Sequence, residues 1–226
     1  MKNKFISYLL FFIICFSYYP SSNSNELKFE ASSIEILDKD KFIIAKDGVK
    51  ILSGDDVVIE ADQMRYDKEK KFLSADGNII IINSKENIQI NSDKVTYDEI
   101  KEMIVSSGNV LIKFNNNYSL NSQEVIYLKN TKEILINNNS KIKDGFQNEI
   151  EFEKLNYNMN NQLLKGKIVK LYDFQNNFYN FDSAIIDFSK NQIIADNVSI
   201  DFNKNIFGNP LNDPRLKGNY FFSDGK

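Results

Sequence analysis

Apolar and polar residues alternate along most of this chain, which is the pattern of β-strands that turn one face toward a core. The alternation is clearest in Ile88-Gln-Ile90 and in Val110-Leu-Ile112-Lys-Phe114. It changes phase at Ser92-Asp93, since the apolar positions are even before this point and odd after it, at Val95 and Tyr97. A change of phase predicts a bulge or bend, so the chain is expected to fold over itself there rather than run straight.

A unit of about 30 residues recurs along the chain. Residues 59–67 (IEADQMRYD) and 72–82 (FLSADGNIIII) match residues 90–98 (INSDKVTYD) and 103–114 (MIVSSGNVLIKF). Four pairs share an offset of 31 positions: Ile59 and Ile90, Asp62 and Asp93, Tyr66 and Tyr97, Gly77 and Gly108. Weaker copies have anchor residues at Ile36, Tyr127, Tyr157 and Phe188. The sequence therefore predicts six units over residues 29–202.

Each unit is predicted to contain two or three short strands joined by corners. One corner is the phase change, and Gly77-Asn78 and Gly108-Asn109 mark another, because glycine and asparagine tolerate a positive φ. The charged stretch Asp98–Glu102 supplies a turn. One unit cannot bury its apolar face alone, so the units must stack. The expected fold is all-β, an elongated repeat β-jellyroll made of a folded sheet.

The alternation also assigns an apolar face that the stacked units share, which we call the inward lane. Its predicted members are Ile59, Ala61, Met64, Ile79, Ile81, Ile88, Ile90, Val95, Val110, Ile112, Phe114, Leu120 and Val125. Lys94, Thr96 and Lys113 are expected to face solvent. Periodicity alone leaves two interpretations open, a packed core as in most β-solenoids or a groove that holds an apolar ligand.

The first 24 residues have the order of a secretory signal peptide. Two lysines precede an apolar run from Phe5 to Tyr19, and a small polar segment follows. We predict cleavage after Ser24. The alternative is an uncleaved membrane anchor, although the run is shorter than the ~20 residues of a spanning helix. Residues 25–204 then form the repeat domain, and residues 205–226, with two of the three prolines, are predicted to be an extended tail or linker.

Composition removes most catalytic chemistry. There is no His and no Trp, and the only cysteine, Cys15, lies in the predicted leader. Serine-histidine triads, cysteine-histidine pairs, structural zinc sites and internal disulfides are therefore excluded. We predict a protein that is not an enzyme and uses no cofactor. Removal of the leader, which has two lysines and no acidic residue, changes the net charge from −3 to −5, so binding to nucleic acid through phosphate attraction is not expected.

Three short motifs recur at fixed places in the two clearest units. The matching positions are Ala61-Asp62, Tyr66-Asp67, Gly77-Asn78, Ser92-Asp93, Tyr97-Asp98 and Gly108-Asn109. This pattern resembles the OstA-like family of lipopolysaccharide transport. The segment Asn212–Gly218 (NDPRLKG) resembles the segment that follows the periplasmic N-terminal domain of the outer-membrane assembly proteins in that family. The likeness is therefore greater to that domain than to the periplasmic bridge proteins of the family.

The resemblance implies an open-sided β-jellyroll that shields the acyl chains of lipopolysaccharide in the inward lane while the sugars stay in water. It implies a periplasmic location associated with the outer membrane. It also implies other jellyroll proteins of the transport bridge as partners, bound by pairing of edge strands, and an outer-membrane barrel as a further partner. The barrel and the cysteines of the assembly proteins do not occur in these 226 residues.

An alternative function is a polysaccharide-binding or polysaccharide-cleaving β-helix of the periplasm or cell surface. Asp62 and Asp93 could then act as an acid-base pair. Their place at equivalent corners favours a structural role, in which aspartate binds local backbone N–H groups. Tyr66 and Tyr97, with their counterparts in later units, are expected to stack as a ladder along the sheet, and a platform for sugars is the alternative.

Overall fold

The computed structural model of this protein describes residues 28–53, 57–85, 87–114, 117–204, 208, 211 and 214–224. The predicted leader, including Cys15, lies outside the described residues. The described residues form strands, turns and connecting segments, with no helix among them. The strands are β1 Lys28–Glu30, β2 Ser33–Leu37, β3 Phe42–Ser53, β4 Val57–Asp67, β5 Phe72–Asn83, β6 Ile88–Asp98, β7 Met103–Phe114, β8 Tyr118–Leu128, β9 Glu133–Ile136, β10 Ser140–Lys143, β11 Glu149–Phe152, β12 Lys154–Asn158, β13 Leu163–Tyr172, β14 Phe178–Asp187, β15 Gln192–Asp201 and β16 Arg215–Ser223.

All 16 strands belong to one sheet, and every pairing is antiparallel. Long strands that follow one another along the chain pair as hairpins, and at three places two short strands stand for one long strand: β1 with β2, β9 with β10, and β11 with β12. The prediction of an all-β folded sheet is confirmed. The count of six units stays a prediction.

The long strands bend in the middle without losing their partners. The pairing register shifts between Lys46 and Val49 in β3, and equivalent shifts occur in each of the next four hairpin pairs. A bulge adds a residue and turns the strand, so the sheet folds along a line. We expected two or three short strands per unit, whereas β4–β8 are continuous strands of 11 or 12 residues because the bulge keeps the ladder intact.

The fold line divides the sheet into two arms. Arm A ends in the turns that join β4 to β5, β6 to β7, β8 to β9, β12 to β13 and β14 to β15. Arm B contains the end of β3 and the start of β4, the end of β5 and the start of β6, and the end of β7 and the start of β8, together with the turns that join β10 to β11 and β13 to β14. The arms pack on each other: the ring centroid of Phe114 in arm B lies 5.9 Å from that of Tyr157 in arm A. One hydrophobic core runs between them.

The segment predicted as a tail contributes to this sheet. Arg215–Ser223 forms β16, which pairs with β15 from Ile193 to Asp201. Phe221 packs its ring 5.6 Å from that of Phe181. The prolines suggested a linker, but Pro214 precedes the strand, where a missing N–H costs no ladder bond. The sheet therefore extends beyond residue 204.

Candidate functional site

The inward lane is the space between the two arms. Twelve of its thirteen predicted members are buried, and Ile88 is partly buried near the turn that starts β6. Side chains from both arms fill it, and the gap between them near Ile90, Ile104 and Ile112 measures about 40 Å³. That is room for about one water molecule. The lane between the arms is thus filled by side chains in this structure, and its ligand-binding role is a proposal.

The inner edge of the fold line carries small side chains. Ala61, Ala75, Ser92, Ser106 and Ser122 occupy the inner position at the bend of β4–β8 and are all buried. A sharp bend brings the two arms close together there, so small residues fit where larger ones would collide. The hydroxyls of Ser92 and Ser122 donate to the carbonyl oxygens of Lys94 and Glu124, at 3.2 and 3.1 Å, which satisfies these polar groups.

The outer edge of the fold line is held by side-chain clasps. The Asn78 amide donates to Oδ2 of Asp62 at 2.9 Å, and the Asn109 amide donates to Oδ2 of Asp93 at 2.8 Å. We expected these aspartates to bind local backbone N–H groups, and they instead join neighbouring strands across the bulge. A third clasp, between Asn197 and Asp182 at 2.8 Å, was not predicted. The signal for it is an Asp followed 15 or 16 residues later by an Asn.

Each clasp depends on a backbone conformation that few residues accept. Gly77 and Asn78 have φ values of +83° and +47°, and Gly108 and Asn109 have +74° and +47°. A Cβ at Gly108 would lie 2.9 Å from Cβ of Asp93, closer than real Cβ contacts. Glycine at this position therefore serves both the positive φ and the close approach of the aspartate.

Opposite the fold line, the two rows of turns leave a seam along which the lane reaches the surface. Partly buried apolar side chains line it: Tyr66, Tyr97, Tyr127 and Phe188 from arm A, and Ile88, Tyr118, Ile150 and Leu171 from arm B. Burial raises the pKa of Tyr66, Tyr97 and Tyr118 above the ordinary value. The hydroxyl groups of these three tyrosines are therefore partly desolvated, and their rings pack against the core.

The predicted tyrosine ladder has a different form from the one expected. Tyr66 and Tyr97 both lie opposite Leu73, and Tyr97 and Tyr127 both lie opposite Ile104. Tyrosines therefore alternate with aliphatic residues across the sheet instead of stacking ring on ring. The unit contains two strands, and only one of them carries the tyrosine.

The lane is exposed at both ends of the sheet. Ile34 and Ile36 of β2 lie opposite Ala45 and Ile43, on the inner face, yet are 46% and 56% exposed. At the other end, Leu216 of β16 lies opposite the buried Ile200 and is 48% exposed. Apolar inner-face residues without a cover mark the places where a further strand or an apolar ligand would continue the lane.

Aspartates also organise the arm A turns, as predicted for Asp67 and Asp98. Oδ1 of Asp98 accepts hydrogen bonds from the backbone N–H groups of Ile100 and Lys101, at 3.1 and 3.0 Å. Asp187 does the same with Ser189 and Lys190. The Lys101 side chain and these N–H groups hold the pKa of Asp98 below its usual value.

The two aspartates considered as an acid-base pair take part in the bend of the sheet. Asp62 and Asp93 each accept a hydrogen bond from an asparagine in the bend. No group of three or more His, Cys, Asp or Glu side chains among the described residues could hold a metal ion. Those residues also include no helix long and apolar enough to cross a membrane.

Comparison with known proteins found similarity among solved structures only. No family model matches the chain, and no curated protein matches it. A solved structure, LptH, described as the LptA homologous periplasmic component of the conserved lipopolysaccharide transport device from Pseudomonas aeruginosa, is similar with a TM-score of 0.44 and 13% identity. The match covers 51% of this chain and 84% of that chain. At this level of similarity we rest no functional argument on it.

Proposed function

We propose that this protein binds the acyl chains of lipopolysaccharide in the inward lane and takes part in lipopolysaccharide transport to, and assembly at, the outer membrane. The observation that carries the proposal is the lane itself: a continuous apolar interior with a half-buried seam along one side and uncovered apolar residues at both ends. The motif resemblance to the OstA-like family supports the choice of ligand. The protein would act in the periplasm after export by a cleaved leader.

Acyl chains can enter only if the arms separate. The existing gap of about 40 Å³ is far too small for an acyl chain. Each buried CH₂ group contributes about 0.8 kcal/mol, so a chain of lipid can replace the side-chain contacts that it displaces. The fold line would serve as the hinge, since its clasps join strands within the sheet and leave the seam free to open. The sugars would remain in water outside the seam.

The two sheet edges would receive the neighbouring proteins of the pathway. β1 and β2 form one edge and β16 the other. Edge strands present unpaired backbone groups, so another jellyroll can add its own edge strand and extend the lane. An outer-membrane barrel is the further partner that this proposal includes. The negative net charge, −3 for the whole chain and −5 once the predicted leader is removed, makes phosphate attraction a minor part of recognition in the lane.

A photo-crosslinking pair tests the proposal in lipopolysaccharide-producing cells. A photoreactive residue replaces Ile112, which is 1% exposed and faces the lane, or its neighbour Leu111, which faces outward on the same strand. We expect a lipopolysaccharide adduct at position 112 and none at position 111. An exported, folded variant that gives no adduct at 112 would show that the lane is a closed core.

A tethering pair tests whether the seam opens. The rings of Phe114 and Tyr157 are 5.9 Å apart across the arms, whereas those of Phe114 and Tyr118 are 5.4 Å apart within arm B. With Cys15 replaced by Ser, either pair is changed to cysteines and joined by a short thiol crosslinker. The cross-arm tether should abolish the lipopolysaccharide adduct at Ile112, and the arm B tether should leave it. An unchanged adduct in both would disprove the opening step.

A further inference from the structure

Some lysines on the outer surface of the sheet have a carboxylate on the neighbouring strand: Lys46 pairs with Glu35 at 3.6 Å, and Lys94 pairs with Asp76 at 3.2 Å. Lys154, Lys165 and Lys167, on β12 and β13, are exposed, and no described carboxylate lies within 4.0 Å of them. These two strands therefore carry three positive charges without a close carboxylate, on a protein that is acidic as a whole.

These three lysines lie close together on one face. Lys154 lies directly opposite Lys167 in the ladder, and Lys165 lies two residues before Lys167 on the same strand. Like charges directly opposite each other destabilise a sheet. The lysines flank a shallow depression of about 460 Å³ whose lining also includes Asn137, Asn156, Leu135 and Ile185. Ser183 belongs to the same lining, and its hydroxyl donates to Oδ1 of Asp196 at 2.6 Å. The three ammonium groups have a cost to folding and supply donors that an anion requires.

Ile168 lies at the bend of β13, next to Lys167. Its φ is +49°, and among the described residues it is the only β-branched residue with a positive φ. At the bends of β5, β7 and β15 this conformation belongs to asparagine, at Asn78, Asn109 and Asn197. The side chain is 44% exposed, so core packing does not compensate for the strain. An exposed isoleucine held in this way, beside a basic cluster, suggests contact with something apolar.

An apolar stripe continues from the cluster to the free edge of the sheet. Ile185 lies opposite Lys165 on one side and Ile194 on the other, and Ile194 lies opposite Phe222. Residues that lie opposite one another share a face of the sheet, so all three side chains face outward. They are 39%, 52% and 61% exposed. The outer face here thus combines fixed positive charge with exposed apolar groups.

We propose that this surface, the basic apolar face (Lys154, Lys165, Lys167, Ile168, Ile185, Ile194 and Phe222), lies on an anionic lipid bilayer. The lysines would bind headgroup phosphates, and the apolar side chains would enter the interface beside them. Charge complementarity selects an anionic surface, and the apolar stripe selects a bilayer over dissolved phosphate. Because the rest of the chain is acidic, an anionic bilayer would repel it, and the protein would bind in one orientation. This inference does not depend on what the inward lane binds.

The natural chain contains no tryptophan, so the fluorescence of a single introduced tryptophan comes from one known position. Ile185→Trp places one on the basic apolar face, and Ile82→Trp places one on the outer face of β5, where Ile82 is similarly exposed, at 37% against 39%. With vesicles of mixed phosphatidylglycerol and phosphatidylcholine, emission of the Ile185→Trp protein should shift to the blue and be quenched by brominated acyl chains. Pure phosphatidylcholine vesicles should have no effect, and the Ile82→Trp protein should not respond to either.

Two matched changes in the Ile185→Trp protein test the residues. Changing Lys154, Lys165 and Lys167 together to Gln should weaken binding to the mixed vesicles about 100-fold, at about 1 kcal/mol per lysine. Changing Lys46, Lys50 and Lys94 to Gln, three ion-paired lysines, should leave binding unchanged. Ile168→Asn should weaken binding about tenfold, because it removes an exposed apolar side chain. The protein should stay folded, because asparagine accepts a positive φ.

Three results would overturn the inference. The first is no response of the Ile185→Trp protein to anionic vesicles. The second is an equal response of the Ile82→Trp protein, because binding would then not involve this face. The third is full competition by inorganic phosphate at the concentration of the lipid phosphate, which would identify a site for a dissolved anion.

Discussion

The same bend is built in two ways in this protein, one in β4–β8 and the other in β9–β13. In the first region β5 and β7 each carry a bulge, and clasps between Asp and Asn side chains join neighbouring strands across the fold line. In the second, the strands divide into separate pieces: β9 with β10, and β11 with β12. In this second region the ring of Phe152 packs against the backbone of Gly166, in the position where a Cβ on residue 166 would lie.

The difference explains why the sequence repeat is strong in one region and weak in the other. A clasp requires particular residues at particular places, so Asp, Gly and Asn recur with a fixed offset. A bend held by packing requires only that the buried side chains fill the available space, which many combinations of residues can do. A sequence repeat is therefore easier to detect where the bends are held by hydrogen bonds than where they are held by packing.

The largest effect is expected from Phe152→Ala in the packed region. Phe152 is 2% exposed and its ring lies where a Cβ on Gly166 would be. Loss of the ring should lower the free energy of unfolding by about 3–5 kcal/mol, measured by urea denaturation. Gly166→Ala should be damaging in the natural protein and nearly neutral beside Phe152→Ala. Additive losses in the double variant would contradict the idea that the two residues share one space.

Substitution of Gly48 and of Gly108 should separate the free-energy cost of a positive φ from the cost of a steric collision with the clasp aspartate. Gly48 and Gly108 have φ values of +79° and +74°, but only a Cβ at Gly108 would collide, with Asp93. We expect Gly48→Ala to cost about 1 kcal/mol for the backbone and Gly108→Ala about 2–3 kcal/mol for backbone and collision together. Thermal or urea unfolding measures both, and equal losses would mean that the clasp tolerates displacement.

Ile168→Asn should stabilise the protein, in contrast to the preceding changes. The substitution gives the bend of β13 a residue that accepts a positive φ, as Asn78 and Asn109 do. A gain of about 1 kcal/mol in unfolding free energy is expected. Ile185→Asn serves as the control, since Ile185 is similarly exposed in a regular strand and should give no gain. A loss at position 168 would show that its side chain stabilises the fold.

The smallest effects concern pH. The pKa of Asp67, Asp98 and Asp187 is held below the usual value by hydrogen bonds within the turns, mainly from Lys70, Lys101 and Ser189 respectively. Each lowered pKa stabilises the folded protein at pH values above 3.8, the pKa in the unfolded chain, and this stabilisation is lost as the pH falls below that value.

Burial raises the pKa of Tyr179 to about 12, so the stability of the folded protein should also fall as the pH rises from 10 toward 12. Urea midpoints at pH 3, 6 and 11 measure both; in the Asp187→Asn protein the acid loss should be smaller, and an identical loss would contradict the assignment.

The alternation of apolar residues predicted the interior of this protein well. Ile112 and Val125 are inward by parity alone, and both are buried. The phase change at Ser92-Asp93 predicted a bend that the structure has, because Asp93 and Lys94 are both exposed between the buried Ser92 and Val95, at the register shift between β6 and β7. The alternation of apolar and polar residues did not lead us to predict β16, because residues typical of turns are abundant in the sequence just before Arg215.

The partners of particular residues could not be read from the sequence. Asp62 was assigned to its own backbone, yet it binds an asparagine 16 residues away. That contact exists only because the hairpin brings β4 and β5 side by side in one register. The basic apolar face has the same origin, since Lys154 and Lys167 are 13 residues apart and meet only across a ladder.

The order of apolar and polar residues was enough to predict a bent, all-β sheet with one apolar face, because a period of two and its phase changes are local properties of a strand. The distance between the two arms, the charges without an ion-pair partner and the places where the lane meets the surface became clear only from the folded sheet. These three features depend on strand register and on the bend of the whole sheet, which bring together residues that are far apart in the sequence.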